Sequence, residues 1–219
     1  MAMGRSVSNM SVALFGGTFN PVHFGHLRLA NELAKLLQVK SMRMLPCAVP
    51  PHREEPCASA EQRLAMLELA IDAQPILATD DLELHRAKPS YTIDTLELVR
   101  QQIGAQVPLF FCMGMDSLAG INSWHRWREL LNFCHIVVYP RPTWEISSQE
   151  ELTDWVEQHQ CDNLSALKQS PAGHLYICDL PVMDLSSSEI RDYIKQGKNI
   201  DHMAPESVIE YIKLHSLYE

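Results

Sequence analysis

The sequence lacks the long apolar segments and the basic excess that mark two large classes of protein. No apolar run approaches the ~20 residues that a membrane-spanning helix needs. Residues 1–10 are polar and contain no apolar stretch, so we expect no signal peptide. The formal net charge is −9, whereas a nucleic-acid-binding domain usually presents a basic surface. These absences predict a cytoplasmic protein that binds neither membranes nor nucleic acids.

Cysteine pairs with metal-binding spacing are also missing. The sequence has six cysteines, and none of them forms a C-x-x-C motif. A zinc site or a disulfide framework would be the functional interpretation of these cysteines. The simpler interpretation, which we prefer, is that they are small buried side chains in a reducing cytosol.

Short apolar runs alternate with segments of helical periodicity along most of the chain. Strands are predicted at 11–15, 41–45, 76–78, 108–113, 135–139 and 175–179. Helices are predicted at 25–38, 60–73, 90–102, 124–132, 150–159, 188–196 and 205–215. This alternation predicts an α/β fold: a Rossmann-like, doubly wound, mostly parallel sheet with helices on both faces. Ligands of such sheets bind at the carboxyl ends of the strands.

Residues at helix ends support some of these boundaries. Ser59 is predicted to be an N-cap whose capping box is completed by Gln62, and Thr92 is predicted to cap the third helix. Gly197 suits the position just after a helix, and Pro205 suits the first helical position. The segment 141–172 is polar and weakly patterned, and beyond one helix we assign it no structure or role.

A glycine pair and two histidines follow the first predicted strand, in the segment GGTFNPVHFGH. Gly16 and Gly17 let the backbone approach a ligand closely, so that its N–H groups can face an anion. The helix that starts at the end of this segment points its positive end at the same place. His23 and His26 are three residues apart and could donate hydrogen bonds to phosphate oxygens.

Other interpretations of this segment remain open. The glycines could form a simple turn, and the histidines could be capping or core residues. A zinc site is a further alternative for H-x-x-H, although the sequence places no third ligand. The segment matches neither G-x-G-x-x-G nor the P-loop, and no lysine follows the glycines, so histidine would have to supply the donors.

A second candidate for phosphate binding lies near the C-terminus, in the segment LSSSEIR. Ser186 and Glu189 have capping-box spacing, so a helix is expected to start here with free N–H groups, serine hydroxyls and Arg191 one turn later. The alternative interpretation is a well-capped surface helix. In an acidic protein, a phosphate substrate requires such a local cluster of basic and donor groups.

Both segments resemble signatures of the nucleotidylyltransferase superfamily. GGTFNPVHFGH is similar to its H-x-G-H motif, although many members carry Asp where this chain has Asn20, and SSSEIR is similar to its motif [ST]-[ST]-x-x-[IL]-R. The resemblance implies that His23, His26 and Arg191 are catalytic. It implies that the residues that bind ATP are Gly16, Gly17, Thr18, Phe19, His23, His26, Asp116, Ser186, Ser187, Ser188 and Arg191.

Four further segments point to the acceptor: PPHR, which ends at Arg53, SYT, which ends at Thr92, GMDS around Asp116, and WHRW from Trp124. Three of them have a simpler interpretation: PPHR could be a solvated loop, SYT a plain N-cap and the two tryptophans of WHRW core packing. Together and in this order they resemble bacterial-type nicotinate-nucleotide adenylyltransferases, over about residues 13–218.

This resemblance implies roles for the acceptor residues. Arg53 would contact a substrate phosphate, and Asp116 would bind the adenosine ribose. Trp124 would stack on the pyridine ring. Thr92 and the backbone of Trp124 and His125 would hold the nicotinate carboxylate.

The resemblance also implies the reaction: transfer of AMP from ATP to nicotinate mononucleotide, giving nicotinate adenine dinucleotide and pyrophosphate in NAD biosynthesis. Mg²⁺ would arrive with ATP, since the sequence shows no carboxylate cluster to serve as a metal site of the protein. Residues 1–219 would form one nucleotidylyltransferase domain, with a helical part at about 186–219 packed on it. The alternatives are a different acceptor, nicotinamide mononucleotide or phosphopantetheine, or a nucleotide-sensing module without turnover. The oligomeric state is not predicted.

Overall fold

The described part of the chain is built on one parallel sheet. The computed structural model describes residues 11–48, 56–84, 86, 90–140 and 150–219. Its strands are β1 (Val12–Gly17), β2 (Met42–Pro46), β3 (Leu77–Thr79), β4 (Leu109–Gly114), β5 (His135–Tyr139) and β6 (Leu175–Ile177). They lie in the order β3-β2-β1-β4-β5-β6, and each neighbouring pair is parallel. The predicted Rossmann-like fold is confirmed, and this sheet is entirely parallel rather than mostly parallel.

Helices cover both faces of this sheet. They are α1 (Phe24–Leu37), α2 (Ala60–Ile71), α3 (Thr92–Ile103), α4 (Met115–Ala119), α5 (Glu150–His159), α6 (Leu164–Leu167), α7 (Ser187–Lys195) and α8 (Glu206–Leu214). Two short 3₁₀ helices, Ile121–Ser123 and Trp127–Asn132, follow α4. None of the helices in the described ranges is long and apolar enough to cross a membrane.

Strand β4 shows how the sequence produces the two layers. Successive side chains of a strand point to opposite faces. Phe110 and Cys112 pack in the cluster formed with α1, α2, α7 and α8, whereas Phe111 and Met113 pack in the cluster formed with α3, α4 and α5. All six residues of β4 are buried, as expected for a strand covered on both faces.

The strand order reverses between β1 and β4. In this type of sheet, the chain leaves neighbouring strands toward opposite faces at such a point, which opens a crevice beyond their carboxyl ends. Gly16 and Gly17, which the sequence placed after the first strand, are the last two residues of β1, and they lie at this edge together with Asp116, which follows β4. The topology therefore brings segments that are distant in sequence to one place.

Two of the predicted helix ends are confirmed. Ser59 and Gln62 form both hydrogen bonds of a capping box at the start of α2. Gly197 follows the C-cap residue Gln196 with φ +65°, a conformation that glycine adopts without strain.

Other predicted boundaries are wrong. The N-cap of α3 is Tyr91, and Thr92 is the first helical residue; Pro205 is the N-cap of α8 and not its first helical residue. The predicted helix 124–132 is a 3₁₀ helix that starts at Trp127, because Trp124 is extended and Arg126 has φ +53°. The sequence analysis also missed α4 and α6, which are only five and four residues long.

Candidate active site

A cleft of about 720 Å³ lies at the carboxyl ends of β1 and β4. It contains every predicted site residue that lies in the described ranges: Gly16, Gly17, Thr18, Phe19, His23, His26, Thr92, Asp116, Trp124, His125, Ser186, Ser187, Ser188 and Arg191. The remaining predicted residue, Arg53, lies outside the described residues. A larger groove of about 1120 Å³ between α1, α2 and α8 contains none of the predicted site residues.

The end of β1, where the loop of residues 18–23 begins, requires glycine at positions 16 and 17 for steric reasons. A Cβ atom on Gly17 would lie 2.8 Å from the Phe19 ring, and one on Gly16 would lie 3.1 Å from the Phe111 ring. Phe19 has φ +49°, which is costly for a bulky residue, and its ring is 1% exposed, edge-on to Phe15 and to His26. Burial of this ring therefore holds the loop in a conformation that an isolated peptide would avoid.

The two histidines of the loop are held against each other at the start of α1. His23 is the N-cap residue, and its Nδ1 accepts a hydrogen bond of 3.4 Å from the backbone N–H of His26. The two rings are stacked, with centroids 3.6 Å apart. A Cβ atom on Gly25 would lie 3.0 Å from the His23 ring, so the glycine of the H-x-G-H motif leaves the space that this ring needs.

Helix α7 joins the C-terminal part of the chain to the loop of the histidines. Arg191 donates through Nη1 to the backbone oxygen of Asn20 at 2.7 Å and through Nη2 to Ser188 Oγ at 3.1 Å. The Oγ of Ser187 donates to the backbone oxygen of Pro21 at 2.9 Å. Ser186 caps α7 by accepting from the N–H of Glu189 at 3.1 Å. The helix start and the histidines thus form one surface of the cleft.

The other side of the cleft is aromatic. Tyr91 packs against His125 with ring centroids 4.6 Å apart, and Trp124 lies edge-on to Phe111 at 6.4 Å. Tyr91 makes no side-chain capping bond to α3, so its side chain leaves the first N–H groups of that helix to other acceptors. This wall can offer a flat apolar surface and backbone donors to the same ligand.

Arg126 connects the two parts of this aromatic wall. Its guanidinium donates to Glu97 on α3 at 2.9 Å and, through two nitrogens, to Glu129 at 3.0 and 2.6 Å. These ion pairs are solvent-exposed, so each contributes little to the free energy of unfolding. They connect the segment that carries Trp124 and His125 with Glu97 of α3.

Two carboxylates line the cleft. Asp116 is half-buried in the first turn of α4, beside the end of β4. Glu83 is 5% exposed and accepts a hydrogen bond of 2.9 Å from Thr95 Oγ1. Burial raises the pKa of Glu83 above its usual value, while the bond from Thr95 and the charge of Arg86 oppose the change. The sequence analysis did not identify Glu83, because no local pattern distinguishes it from a surface residue.

Sequence reasoning also missed residues that support the loop from outside the two motifs. Arg63 is fully buried on α2 and donates through Nη1 to the backbone oxygens of Thr18 at 2.9 Å and Cys47 at 2.8 Å. Tyr218 donates to Asn20 Oδ1 at 2.7 Å. In the sequence, Arg63 is one of several charged residues of the predicted helix 60–73, and Tyr218 is the residue before the last. Only the fold brings them to the loop.

The described residues contain no group of three or more His, Cys, Asp or Glu side chains that could hold a metal ion. Mg²⁺ is commonly held by one or two carboxylates together with waters and substrate phosphates, and the carboxylates that line the cleft among the described residues are Glu83 and Asp116. Asp116 lies two residues after the end of β4, one of the two central strands at the cleft.

Comparison with known proteins identifies the class to which this fold and cleft belong. The profile of the cytidylyltransferase-like family matches residues 14–193. That match spans most of the chain, which therefore belongs to this family. The superfamily relationship expected from the two motifs is confirmed.

Individual relatives narrow the class further. A Serratia proteamaculans protein named "Probable nicotinate-nucleotide adenylyltransferase" is 48% identical over 207 residues, which cover 94% of each chain. A Yersinia pestis protein of the same name is 43% identical over 215 residues, which cover 98% of each chain. These identities confirm the expected similarity to nicotinate-nucleotide adenylyltransferases over nearly the whole length.

A solved structure supports the fold independently. Plasmodium falciparum nicotinic acid mononucleotide adenylyltransferase complexed with NaAD superposes with a TM-score of 0.72, over 95% of this chain and 97% of that one. The two sequences are only 19% identical, so the likeness concerns the fold.

Proposed function

We propose that this chain transfers the adenylyl group of ATP to nicotinate mononucleotide and releases pyrophosphate. The relatives that are 48% and 43% identical carry the name of this activity. The observation that carries the proposal is that Arg191 lies in the same cleft as His23 and His26, bonded to the loop that carries them. One triphosphate can then be bound from both ends of the chain.

The ATP half of the cleft contains the donors. The backbone of residues 17–19, the His23 and His26 rings and the start of α7 with Arg191 bind the phosphates. They stabilise the negative charge that develops on the α-phosphate and on the departing pyrophosphate. Asp116 accepts hydrogen bonds from the ribose hydroxyls.

The reaction needs little acid–base chemistry from the protein. A phosphate monoester has a second pKa of about 6, so the acceptor phosphate is largely dianionic at neutral pH. One of its oxygens attacks the α-phosphorus of ATP, and the bond from that phosphorus to the oxygen that bridges it to the β-phosphate breaks. The contribution of the protein is to hold two mutually repelling anions in line.

The aromatic half of the cleft binds the acceptor. Trp124 stacks on the pyridine ring, and Thr92, the first N–H groups of α3 and the backbone of Trp124 and His125 receive the nicotinate carboxylate. A helix start stabilises a carboxylate more than a neutral amide, because its partial charge is positive. This difference favours nicotinate over nicotinamide mononucleotide. Arg53 is proposed to meet a substrate phosphate.

The proposal includes a Mg²⁺ ion that enters the site bound to ATP, where it would neutralise part of the charge on the phosphates. We also propose that residues 1–219 work as one nucleotidylyltransferase domain in the cytoplasm, with the helical part at about 186–219 packed on it. The contacts of α7 with the histidine loop support the single domain. All six cysteines are free thiols, as is usual in a reducing compartment.

Pyrophosphate release tests the proposal directly. The purified protein is given MgATP together with nicotinate mononucleotide, nicotinamide mononucleotide or phosphopantetheine. We expect the highest kcat/KM with nicotinate mononucleotide. A higher value with another acceptor would replace the proposed substrate. If the protein binds ATP but releases no pyrophosphate with any of the three acceptors, it is a nucleotide-sensing module instead.

A further inference from the structure

The end of the chain turns back into the protein after α8. The N–H of Leu217 donates to the backbone oxygen of Ile212 at 3.0 Å. Ser216 and Tyr218 have φ of +46° and +70°, a region that residues with side chains adopt at a cost. Leu217 and Tyr218 are each only 7% exposed, in the core cluster that also contains Phe19. Burial of these two side chains offsets the cost of the turn.

The turn places the hydroxyl of Tyr218 against the side chain of Asn20. The hydroxyl donates to Asn20 Oδ1 at 2.7 Å, across 198 residues of sequence. Burial raises the pKa of the Tyr218 phenol well above its usual value, so the hydroxyl keeps the proton that it donates. Asn20 is itself 7% exposed and lines the cleft. The bond therefore connects the end of the chain with the wall of the candidate active site.

Asn20 lies in the middle of the loop that carries the proposed phosphate donors. Other supports of this loop act on its carbonyl groups: Arg63 on Thr18, Arg191 on Asn20 and Ser187 on Pro21. Each of these three residues donates a hydrogen bond to a backbone oxygen of the loop. Tyr218 differs because it donates to a side chain of the loop, and, like Arg63, it belongs to neither signature motif.

We propose that Tyr218 is a positioning residue for the proposed phosphate-binding loop and that it acts through the acceptor oxygen of residue 20. The inference rests on the proposed function, in which this loop binds the phosphates of ATP. Tyr218 sets the position of the loop between β1 and His23, and it touches neither substrate. Loss of the hydroxyl weakens the binding and reaction of ATP rather than the binding of the mononucleotide.

The chemistry at residue 20 makes this inference specific. Asparagine and aspartate both present an oxygen at the end of a short side chain, whereas leucine has a similar volume and presents none. If the acceptor oxygen is what matters, Asn20→Asp retains most activity and Asn20→Leu loses it. If Asn20 instead donates a hydrogen bond to a phosphate, Asn20→Asp should lose activity, because a carboxylate repels a phosphate.

The first test compares two tyrosines that lose only a hydroxyl. Tyr218→Phe keeps the buried ring, and we expect kcat/KM for ATP to fall about tenfold, the scale of one buried hydrogen bond with its acceptor left unpaired. The KM for the mononucleotide should change less than twofold. Tyr211→Phe is the matched control on α8, and it should behave like the wild type. Activity of Tyr218→Phe within twofold of the wild type would overturn the proposal.

A double-mutant cycle tests whether Tyr218 acts through residue 20. Because the hydroxyl is expected to have no effect without its acceptor, Tyr218→Phe combined with Asn20→Leu should be no slower than Asn20→Leu alone. Effects that multiply in full would show that the two residues act separately and would contradict the inference.

Hydrogen exchange gives a readout that does not depend on turnover. In Tyr218→Phe, amide exchange should rise in the peptide of residues 16–27 and stay unchanged in the β4 and β5 strands. Exchange that rises throughout the protein, or nowhere in the loop, would overturn the positioning role. Failure of the wild-type protein to release pyrophosphate would instead contradict the proposed function, and the exchange result would still decide the structural part.

Discussion

Arg191 donates a hydrogen bond of 2.7 Å to the backbone oxygen of Asn20, 171 residues earlier in the chain. A second nitrogen of the same guanidinium donates to Ser188 Oγ at 3.1 Å. Because the guanidinium is planar, these two bonds fix its orientation as well as its position. These bonds join the late helix directly to the early loop at the wall of the cleft.

Arg191→Lys should inactivate the enzyme although it keeps the positive charge. A lysine ammonium cannot hold the Asn20 oxygen, Ser188 and a phosphate in the planar arrangement of a guanidinium. We expect kcat/KM for pyrophosphate release to fall about 10²-fold. Lys195→Ala, in the last turn of the same helix, is the control and should stay within twofold of the wild type. Retention of about a third of the activity by Arg191→Lys would contradict the proposed role.

His26→Ala should remove a donor from the reacting phosphates. The predicted loss in kcat/KM is about 10²-fold or more, the scale of one charge-stabilising donor. His202→Ala, an exposed histidine between α7 and α8, serves as the comparison in the same steady-state assay. A loss smaller than threefold for His26→Ala would show that this ring is not involved in charge stabilisation.

Gly25→Ala tests whether the motif glycine serves the histidine beside it. The added Cβ would lie 3.0 Å from the ring of His23, which is 4% exposed and has little room to move. We expect kcat to fall at least tenfold, while the melting temperature changes by only a few degrees, since alanine suits a helix better than glycine. Arg28→Ala on the exposed side of α1 is the control. Unchanged kcat in Gly25→Ala would mean that the His23 ring position is not critical.

The parts of the fold that could be predicted from the sequence are those governed by local patterns. Buried strands such as β4 are runs of apolar residues, and the capping box of Ser59 and Gln62 is a local arrangement. Boundaries failed where a single residue took an unusual conformation: Arg126, with φ +53°, shortens the helix that was predicted from Trp124 onward. Periodicity carries no signal for such a residue.

In the candidate site too, residues in local motifs could be predicted from the sequence, whereas residues that act through distant contacts could not. His23, His26 and Arg191 belong to short motifs, so their meeting in one cleft could be anticipated. The sequence did not identify three other residues of the site. Arg63 and Tyr218 contact a loop that is distant in sequence, and Glu83 contacts Thr95, which belongs to no recognised motif. A buried polar contact across a fold depends on the packing of whole elements, which sequence spacing does not encode.

Trp124→Ala should affect the acceptor and spare ATP. The indole lines the cleft beside Phe111, and stacking on an aromatic ring contributes roughly 1–3 kcal/mol. We expect KM for nicotinate mononucleotide to rise about tenfold or more, with KM for ATP within twofold of the wild type. Trp124→Phe keeps an aromatic face and should recover most of the loss. Equal effects on both KM values would argue for a role in folding rather than in stacking.

Stability should fall in mild acid because of His135, which is fully buried at the start of β5. Its Nε2 donates to the Ser170 backbone oxygen at 2.9 Å, and its Nδ1 accepts from the N–H of His174 at 3.2 Å, so the folded protein holds a neutral ring. Burial, followed by the charges of His174 and Arg100, lowers the pKa of His135 from 6.5 to about 4, against the bonds to backbone oxygens, which raise it.

The direction of the pH effect follows from this lowered pKa. Between pH 6.5 and 4, His135 is protonated in the unfolded chain but stays neutral in the folded protein. The neutral His135 therefore makes its full contribution to the free energy of unfolding above pH 6.5. As the pH falls, this contribution is lost, and near pH 4 the loss amounts to about 3 kcal/mol. Urea unfolding at intervals from pH 4 to 7.5 measures it. His135→Gln should be less stable at pH 7.5 but show a shallower decline, whereas His215→Ala should decline as the wild type does. Parallel curves for His135→Gln and the wild type would exclude His135 as the source.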